Sequence, residues 1–519
     1  MSFATATRME DQSRLLALPT GPLHSLMSLV GCKNALRLTC RFLRTEVVRV
    51  TTKASLRMLE NEEDTTVQPL SRMPELTTFH VMMSWGKTSK LTAAILQCPT
   101  TIQKLIIEQD GCVGFPLYSV LSRLPKLTYL QFWSNLRKWP TAAALVHLQH
   151  LDLNDNMLSG DVEGMVKGIG ALPQLECLKI GRNGLDASAL TKVLRAMTQL
   201  SRMRDLDMCT EATYFDLDTI IEMDEDVREF SAALGAVSTL RRLNVSNFVL
   251  APRLIWPACL EQLIMEGCFV LHFGALPITL VHLDIGRAAY ITPDIMVEVA
   301  AALKPLTGLK HLNMCCLGVG AHDLTHVGLL LARALSLLTS LEHLDLHGCC
   351  LSEAAMQELA GSLAMLTHLR HLDLAYNDIG ESGAAALRPA LGCMKSLREL
   401  VMVDTGMEEV GACVQMAHAL SMLPSLQRLD LTYIGSEGLR VLLPALGRLR
   451  MLMRLALSTV DVDDVLVGWG DLELLIPVLG SMPFLNDLKL NFYLTVEERE
   501  EAMSALRKVL SNSANVLVN

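Results

Sequence analysis

LTHLRHLDLAYN, residues 366–377, is the stretch of this sequence from which the fold is deduced. Leu369, Leu372 and Leu374 form the phrase Leu-x-x-Leu-x-Leu, and Asn377 follows three residues later. The alternation around Leu372 and Leu374 has period two, which predicts a short strand with buried leucines and outward residues between them. At the Asn377 position a polar or small side chain is expected to satisfy backbone groups where the chain turns.

Copies of this phrase recur along most of the 519 residues and give 16 candidate units. The twelve intervals between Leu148 and Leu485 average about 28 residues, which leaves room for a helix after each strand. Asn156 and Asn183 repeat the asparagine position, and Cys268 and Cys349 replace it in two other units. Such self-similarity is typical of a solenoid built from one repeated unit.

Helical sequence lies between the strands. In residues 351–366 the apolar residues Met356, Leu359 and Leu363 share one helical face, and Ser352 precedes them as a suitable N-cap. Units of one strand and one helix, stacked in parallel, predict an α/β fold. We expect a leucine-rich solenoid, a horseshoe with a concave parallel sheet and convex helices.

These units resemble leucine-rich repeats of the ribonuclease-inhibitor type, because each combines the leucine phrase with a full helix. The resemblance covers most of the chain and implies a scaffold that binds other proteins, without naming a ligand. The intervals that start at Leu240 and Leu260 are only 20 residues long and contain prolines, so helices are not expected there. Eight acidic residues and one arginine in residues 211–229 predict a charged insertion beside these short units.

The predicted organisation has five parts. They are an N-terminal helical module (1–60), a first repeat arc with the acidic insertion (61–238), short helix-poor repeats (239–300), a regular repeat arc (301–494) and a C-terminal capping helix (495–519). The acidic insertion either recruits a basic partner or is a solvated loop. A polar-backed helix at the end of a solenoid is expected to cover its last apolar surface.

The N-terminal module contains a Leu-Pro pair, an amphipathic segment and a Cys-Arg pair, in that order. This order resembles an F-box, the helical module that binds a Skp-type adaptor of a cullin ubiquitin ligase in F-box proteins with leucine-rich repeats. The resemblance implies that the repeats hold the substrate and that the adaptor contacts Leu18, Pro19, Leu23, Leu26, Cys40 and Arg41. The alternative is a helical cap on the first repeat with no adaptor.

Composition excludes several function classes. The net charge is −10, which argues against nucleic acid as the main ligand because phosphate binding needs a basic stripe. No run of about 18 apolar residues predicts a membrane span, and the 14 cysteines contain no CxxC pair. We therefore expect a protein of the cytoplasm, or of the nucleus, with reduced thiols. The sequence also lacks catalytic and cofactor motifs, so neither an enzyme nor a cofactor is predicted.

The outward residues of the regular repeats are mostly histidines and acids. We expect this face to bind a protein partner through His282, Asp284, His311, Asn313, His343, Asp345, His371, Asp373 and Tyr376. Stacked imidazoles also fit a transition metal, and a His–Asp pair fits general-base catalysis. In the simplest alternative, histidine and aspartate merely tolerate a polar sheet surface. At the level of the whole protein, a scaffold or inhibitor outside the ubiquitin system and a GTPase activator are the other hypotheses.

Overall fold

The computed structural model describes most of the chain from residue 145 onward and shorter stretches before it. The described residues are 53–58, 75–83, 96, 98–109, 121–133, 136–137, 145–211, 224–250, 254–270, 272–289, 291–317, 325–460, 469–492, 494–510 and 514–518. The F-box-like positions between Leu18 and Arg41, and residues 212–223 of the acidic insertion, lie outside them.

The chain forms two compact units, Met1–Leu206 and Asp207–Asn519. Among the described residues of the first unit, six strands follow one another in the chain, and each pairs in parallel with the next. They are β1 (Lys53–Met58), β2 (Thr78–Met83), β3 (Lys104–Gln109), β4 (Tyr129–Trp133), β5 (His150–Asp152) and β6 (Cys177–Lys179). Helices α1 (Val162–Gly170) and α2 (Ala187–Met197) follow β5 and β6, and a short 3₁₀ turn (Leu158–Asp161) precedes α1.

Strand β7 (Asp205–Asp207) lies at the boundary, and the second unit continues the strand–helix pattern. Its first strands are β8 (Arg242–Asn244), β9 (Val249–Leu250), β10 (Gln262–Ile264), β11 (Phe269–Val270), β12 (His282–Asp284), β13 (His311–Asn313) and β14 (His343–Asp345). The remaining strands are β15 (His371–Asp373), β16 (Glu399–Val401), β17 (Arg428–Gly435), β18 (Arg454–Val460), β19 (Asp487–Asn491) and β20 (Asn515–Val518).

The helices of the second unit connect consecutive strands in the regular part. They are α3 (Asp224–Ala236), α4 (Pro293–Leu303), α5 (Thr325–Leu335), α6 (Glu353–Leu363), α7 (Gly380–Cys393), α8 (Val410–Leu420), α9 (Ser436–Leu446), α10 (Trp469–Gly480) and α11 (Val496–Val509). Strands β12 to β20 pair in parallel in chain order. The fold is an open parallel sheet with alternating helices, that is, a leucine-rich solenoid as predicted.

The core consists of the repeated leucines. Leu369, Leu372 and Leu374 are fully buried, and so are Leu359 and Leu363 of α6 in the helical layer. The predicted N-cap is also present, because the Ser352 side chain accepts a hydrogen bond from the Ala355 amide. The spacing of apolar residues thus fixes which side of each element is buried.

The asparagine position acts as the sequence predicts. The buried Asn377 amide group donates hydrogen bonds to the carbonyls of Leu346 (2.9 Å), Leu374 (2.9 Å) and Ala375 (3.1 Å), and its oxygen accepts from the Leu351 N–H at 2.9 Å. One side chain therefore satisfies backbone groups of two successive repeats. Asn156 and Asn183 bond to neighbouring carbonyls in the same way.

Cysteine takes over this task in two units. The Cys268 thiol donates to the Val245 carbonyl, and the Cys349 thiol donates to the Met314 carbonyl at 3.0 Å. Burial raises the pKa of both thiols, that of Cys268 to about 12, so both remain protonated donors.

Three expectations about the chain's organisation need correction. Residues 53–58, assigned to the N-terminal helical module, form strand β1, which pairs with β2 and so belongs to the sheet. The end of the acidic stretch, from Asp224, is the first turn of α3 rather than part of a loop. After α11 the chain adds strand β20, which pairs with β19. Its alternating sequence can continue the sheet, and α11 is therefore not the end of the solenoid.

The described residues between Ala236 and Pro293 contain strands and turns but no helix. The short intervals and their prolines account for this. Among the described helices, none has the length and apolar character needed to cross a membrane.

Candidate functional site

The register of the second unit aligns the outward strand residues in columns. The first column, formed by the residue before each central strand leucine, runs through His282, His311, His343, His371, Glu399, Arg428 and Arg454. The second column, formed by the residue after that leucine, runs through Asp284, Asn313, Asp345, Asp373, Val401, Asp430 and Ala456. The central leucines are buried, whereas the histidines of the first column are half-buried or exposed.

The four histidines of the first column contact one another. The ring centroids of His282 and His311 are 5.5 Å apart, and those of His311 and His343 are 5.6 Å apart. His343 and His371 stack face to face, with centroids 4.1 Å apart and an angle of 9° between their planes. Rings so close to parallel place their in-plane nitrogens side by side rather than pointing at a common centre.

This arrangement favours the neutral form of two histidines of the column, His282 and His343. Burial, and then the neighbouring His371, His311 and His282, lower the pKa of His343 to about 4. Burial and His311 also lower the pKa of His282. At neutral pH the His343 imidazole is therefore uncharged and offers an aromatic surface.

The column continues as a linked charged row on the side of His371. The Nδ1 atom of His371 lies 3.1 Å from Oε2 of Glu399, and the same carboxylate oxygen lies 3.6 Å from the guanidinium of Arg428. The histidine thus pairs with a glutamate of the next strand and not with the aspartate two residues along its own strand. The alternative of a His–Asp pair for general-base catalysis therefore finds no support at His371, because the register places histidine beside histidine and acid beside acid.

The second column has a structural task. Oδ1 of Asp373 accepts a hydrogen bond from the Ala375 N–H at 2.9 Å, and Asp284, Asn313 and Asp345 accept from the amide two residues along in the same way. Burial raises the pKa of Asp373, with a contribution from Asp345. One oxygen of each side chain thus accepts a hydrogen bond within its own turn, and only the remaining polar atoms are available to a partner.

A third position, four residues after the central strand leucine, carries an exposed tyrosine in two of the repeats. Tyr376 adopts a left-handed backbone conformation with φ 55°, and its N–H donates to the Val403 carbonyl of the next repeat at 2.7 Å. Its ring lies 4.9 Å from that of His347. Tyr433 occupies the equivalent position with φ 66°, and the two tyrosines expose 50% and 43% of their surface. At Tyr376 this position follows the end of β15, whereas at Tyr433 it coincides with an irregularity in the pairing of β17 with β18.

Comparison with protein-family models identifies the repeat in one part of the chain. A family model described as a leucine-rich repeat matches residues 366–387, which contain β15 and the first half of α7. Residues 366–387 are thus similar to one leucine-rich repeat. Among solved structures, a leucine-rich-repeat protein of Leptospira interrogans is similar, with 16% identity over 86% of this chain and 91% of that chain and a TM-score of 0.41. No curated protein matches the sequence significantly.

The repeat register also identifies outward residues that the sequence analysis missed. Glu399, Arg428 and Arg454 continue the first column, and Tyr433 repeats the position of Tyr376. The signal was present, because these residues occupy the same places in the phrases that begin at Leu397, Leu426 and Leu452.

A metal centre finds no support in this geometry. Within the described part of the chain, no group of three or more His, Cys, Asp or Glu side chains could hold a metal ion. The stacking of His343 on His371 gives the reason, since their nitrogens do not converge.

Proposed function

We propose that this leucine-rich-repeat protein is a protein-binding scaffold that holds its partner on the sheet face of the second unit. The observation that carries the proposal is the unbroken first column, in which four contacting imidazoles lead into Glu399, Arg428 and Arg454. This row offers an open surface rather than an enclosed pocket, and open surfaces suit proteins better than small substrates.

The exposed tyrosines and the arginine of the first column support this role. Such side chains commonly dominate the energetics of protein interfaces, since they combine apolar area with hydrogen-bonding groups. Tyr376 and Tyr433 are exposed, and Arg428 is held beside Glu399. The partner surface would combine the residues predicted from the sequence, from His282 to Tyr376, with the further outward residues Glu399, Arg428, Arg454 and Tyr433.

The test is affinity purification from the native cells followed by mass spectrometry. Replacing His311, His343 and His371 together with glutamine should reduce the recovered partner about tenfold or more, because a central patch of an interface is altered. The matched control replaces His368 and His418, which are exposed histidines outside the column. Equal recovery from both variants would overturn the proposal.

More specifically, we propose that the protein is a substrate receptor of a cullin-type ubiquitin ligase. Its support is the F-box-like order of Leu18-Pro19 and Cys40-Arg41 ahead of the repeats. Deleting residues 1–50 should then abolish recovery of a Skp-type adaptor and cullin while the partner on the sheet face is retained. Recovery of that partner alone from the full chain would instead indicate a scaffold or inhibitor outside the ubiquitin system. Stimulated GTP hydrolysis in a turnover assay would indicate a GTPase activator.

A further inference from the structure

A basic groove lies at the edge of the sheet where strands β15 to β18 begin. Its volume is about 340 Å³, and it is lined by Arg370, Lys395, Ser396, Arg398, Ser425, Gln427 and Met451. Three of these side chains are cationic, three others carry hydroxyl or amide groups, and none is a carboxylate. The whole chain has a net charge of −10, so this local surplus of positive charge distinguishes the groove from the rest of the surface.

Backbone hydrogen bonds between neighbouring repeats hold the two arginines and the glutamine of the groove side by side. The amides of Arg398 and Glu399 both donate to the Arg370 carbonyl, and the amides of Gln427 and Arg428 both donate to the Arg398 carbonyl. Arg370, Arg398 and Gln427 therefore form a row just before the first column. Its members immediately precede β15, β16 and β17, and adjacent strands of a sheet lie roughly 4.8 Å apart.

Charges alternate along this row until they reach the groove. Glu342 pairs with Lys310 on one side and with Arg370 on the other, each at 3.1 Å. The next residue is Arg398 instead of an acid, and within the described residues no carboxylate pairs with it. Like charges on adjacent strands are unfavourable, and an anion in the groove would relieve this cost.

The third cation is held in place by the turn. The Lys395 ammonium group donates to the Met422 carbonyl at 3.1 Å, which leaves its other two N–H groups for a ligand. Ser396 and Ser425 add hydroxyl donors on the same lining. A tetrahedral oxyanion can accept several such hydrogen bonds at once.

We propose that this groove binds a single phosphorylated serine or threonine side chain of the partner protein. A long acidic run is disfavoured, because Glu342 and Glu399 flank the groove and would repel it. A compact dianion avoids these carboxylates, and basic residues beside the phosphate would pair with them. The inference rests on the proposed scaffold function and names the chemistry by which its partner is recognised.

The test measures fluorescence anisotropy of labelled peptide pools with the full chain. One pool has a central phosphoserine between lysine-containing degenerate flanks, and matched pools have serine or glutamate at the centre. The phosphoserine pool should bind about tenfold more tightly than the serine pool. The double substitution Lys395→Gln and Arg398→Gln should remove this difference, whereas Arg388→Gln, an exposed arginine of α7, should preserve it.

Three results would overturn the proposal. They are equal affinity for the phosphoserine and serine pools, equal affinity for the phosphoserine and glutamate pools, and unchanged binding by the double variant with an unaltered circular dichroism spectrum. Failure of the scaffold function is distinguished separately. If substitution of the histidine column abolishes recovery of a partner but phosphatase treatment leaves its recovery unchanged, only the proposed phosphate binding in the groove is contradicted. If recovery of the partner does not respond to substitution of the column, the scaffold function itself is contradicted.

Discussion

At the scale of single residues, one buried side chain links two repeats at each asparagine position. Asn377 contacts carbonyls of its own turn and of the preceding repeat, so its amide replaces hydrogen bonds that neither strand nor helix supplies. The same position accepts cysteine in other units, where a thiol makes one such bond. The position requires a buried hydrogen-bond donor, and the number of hydrogen bonds that this donor makes sets its contribution to stability.

Replacing Asn377 with alanine should lower the free energy of unfolding by about 2–4 kcal/mol, because buried carbonyls and an N–H lose their partners. Urea denaturation followed by circular dichroism measures the change. Asn377→Cys is the matched control and should cost less, since a thiol donor serves at Cys349. An alanine variant as stable as the cysteine variant would contradict this account.

His343 makes stability depend on pH through its neighbours. Its pKa is about 4 in the folded chain against an ordinary 6.5, so between these values the unfolded chain binds a proton that the folded chain does not. The free energy of unfolding should therefore decline as the pH falls from about 6.5 towards about 4. His343→Gln should remove roughly 1 kcal/mol of this decline, a value reduced for partial exposure.

The measurement is urea denaturation of wild type and variant at pH 7 and pH 4.5. The difference between the two proteins isolates His343 from the acids that titrate in the same range. His368→Gln, outside the column, should leave the decline unchanged. A parallel pH dependence in wild type and H343Q would show that the stack does not disfavour the charged imidazole.

At the scale of elements, the C-terminal helix is held by its first turn. In α11, Thr495 and Glu498 form a reciprocal capping box, with the Thr495 hydroxyl accepting from the Glu498 amide at 3.2 Å and the Glu498 carboxylate accepting from the Thr495 amide at 2.8 Å. Ala502 and Leu506 are buried, whereas Val496 is 72% exposed. Two buried residues and a cap therefore position the helix that leads into β20.

Thr495→Ala should destabilise α11 by about 1 kcal/mol, while Thr495→Ser should retain the cap. Hydrogen exchange of the amides in residues 496–509 reports this local change more directly than global unfolding. Faster exchange is expected throughout α11 for the alanine variant and not for the serine variant. Equal exchange in the two variants would assign the position of the helix to packing alone.

At the scale of the whole molecule, the repeat architecture turns sequence order into spatial order. In the regular part of the second unit, each strand pairs with those before and after it in the chain, so coupling runs between nearest neighbours. A residue position that recurs once per repeat becomes a continuous column or row. The histidine column and the basic groove both arise in this way, and both span repeats that are separated by about 28 residues in sequence.

The sequence by itself determined the solenoid, because leucine spacing decides which side of each strand is buried. An asparagine such as Asn377 shows where a turn needs a buried polar side chain. It also determined which residues face outward, from His282 to Asp373. Tertiary structure decided what those residues do, because contacts across strands depend on register and rotamer. The register paired His371 with Glu399, stacked it on His343, committed the aspartates to their own turns and brought Arg370 beside Arg398. Periodicity specifies burial, whereas the contacts between repeats exist only once the repeats are stacked.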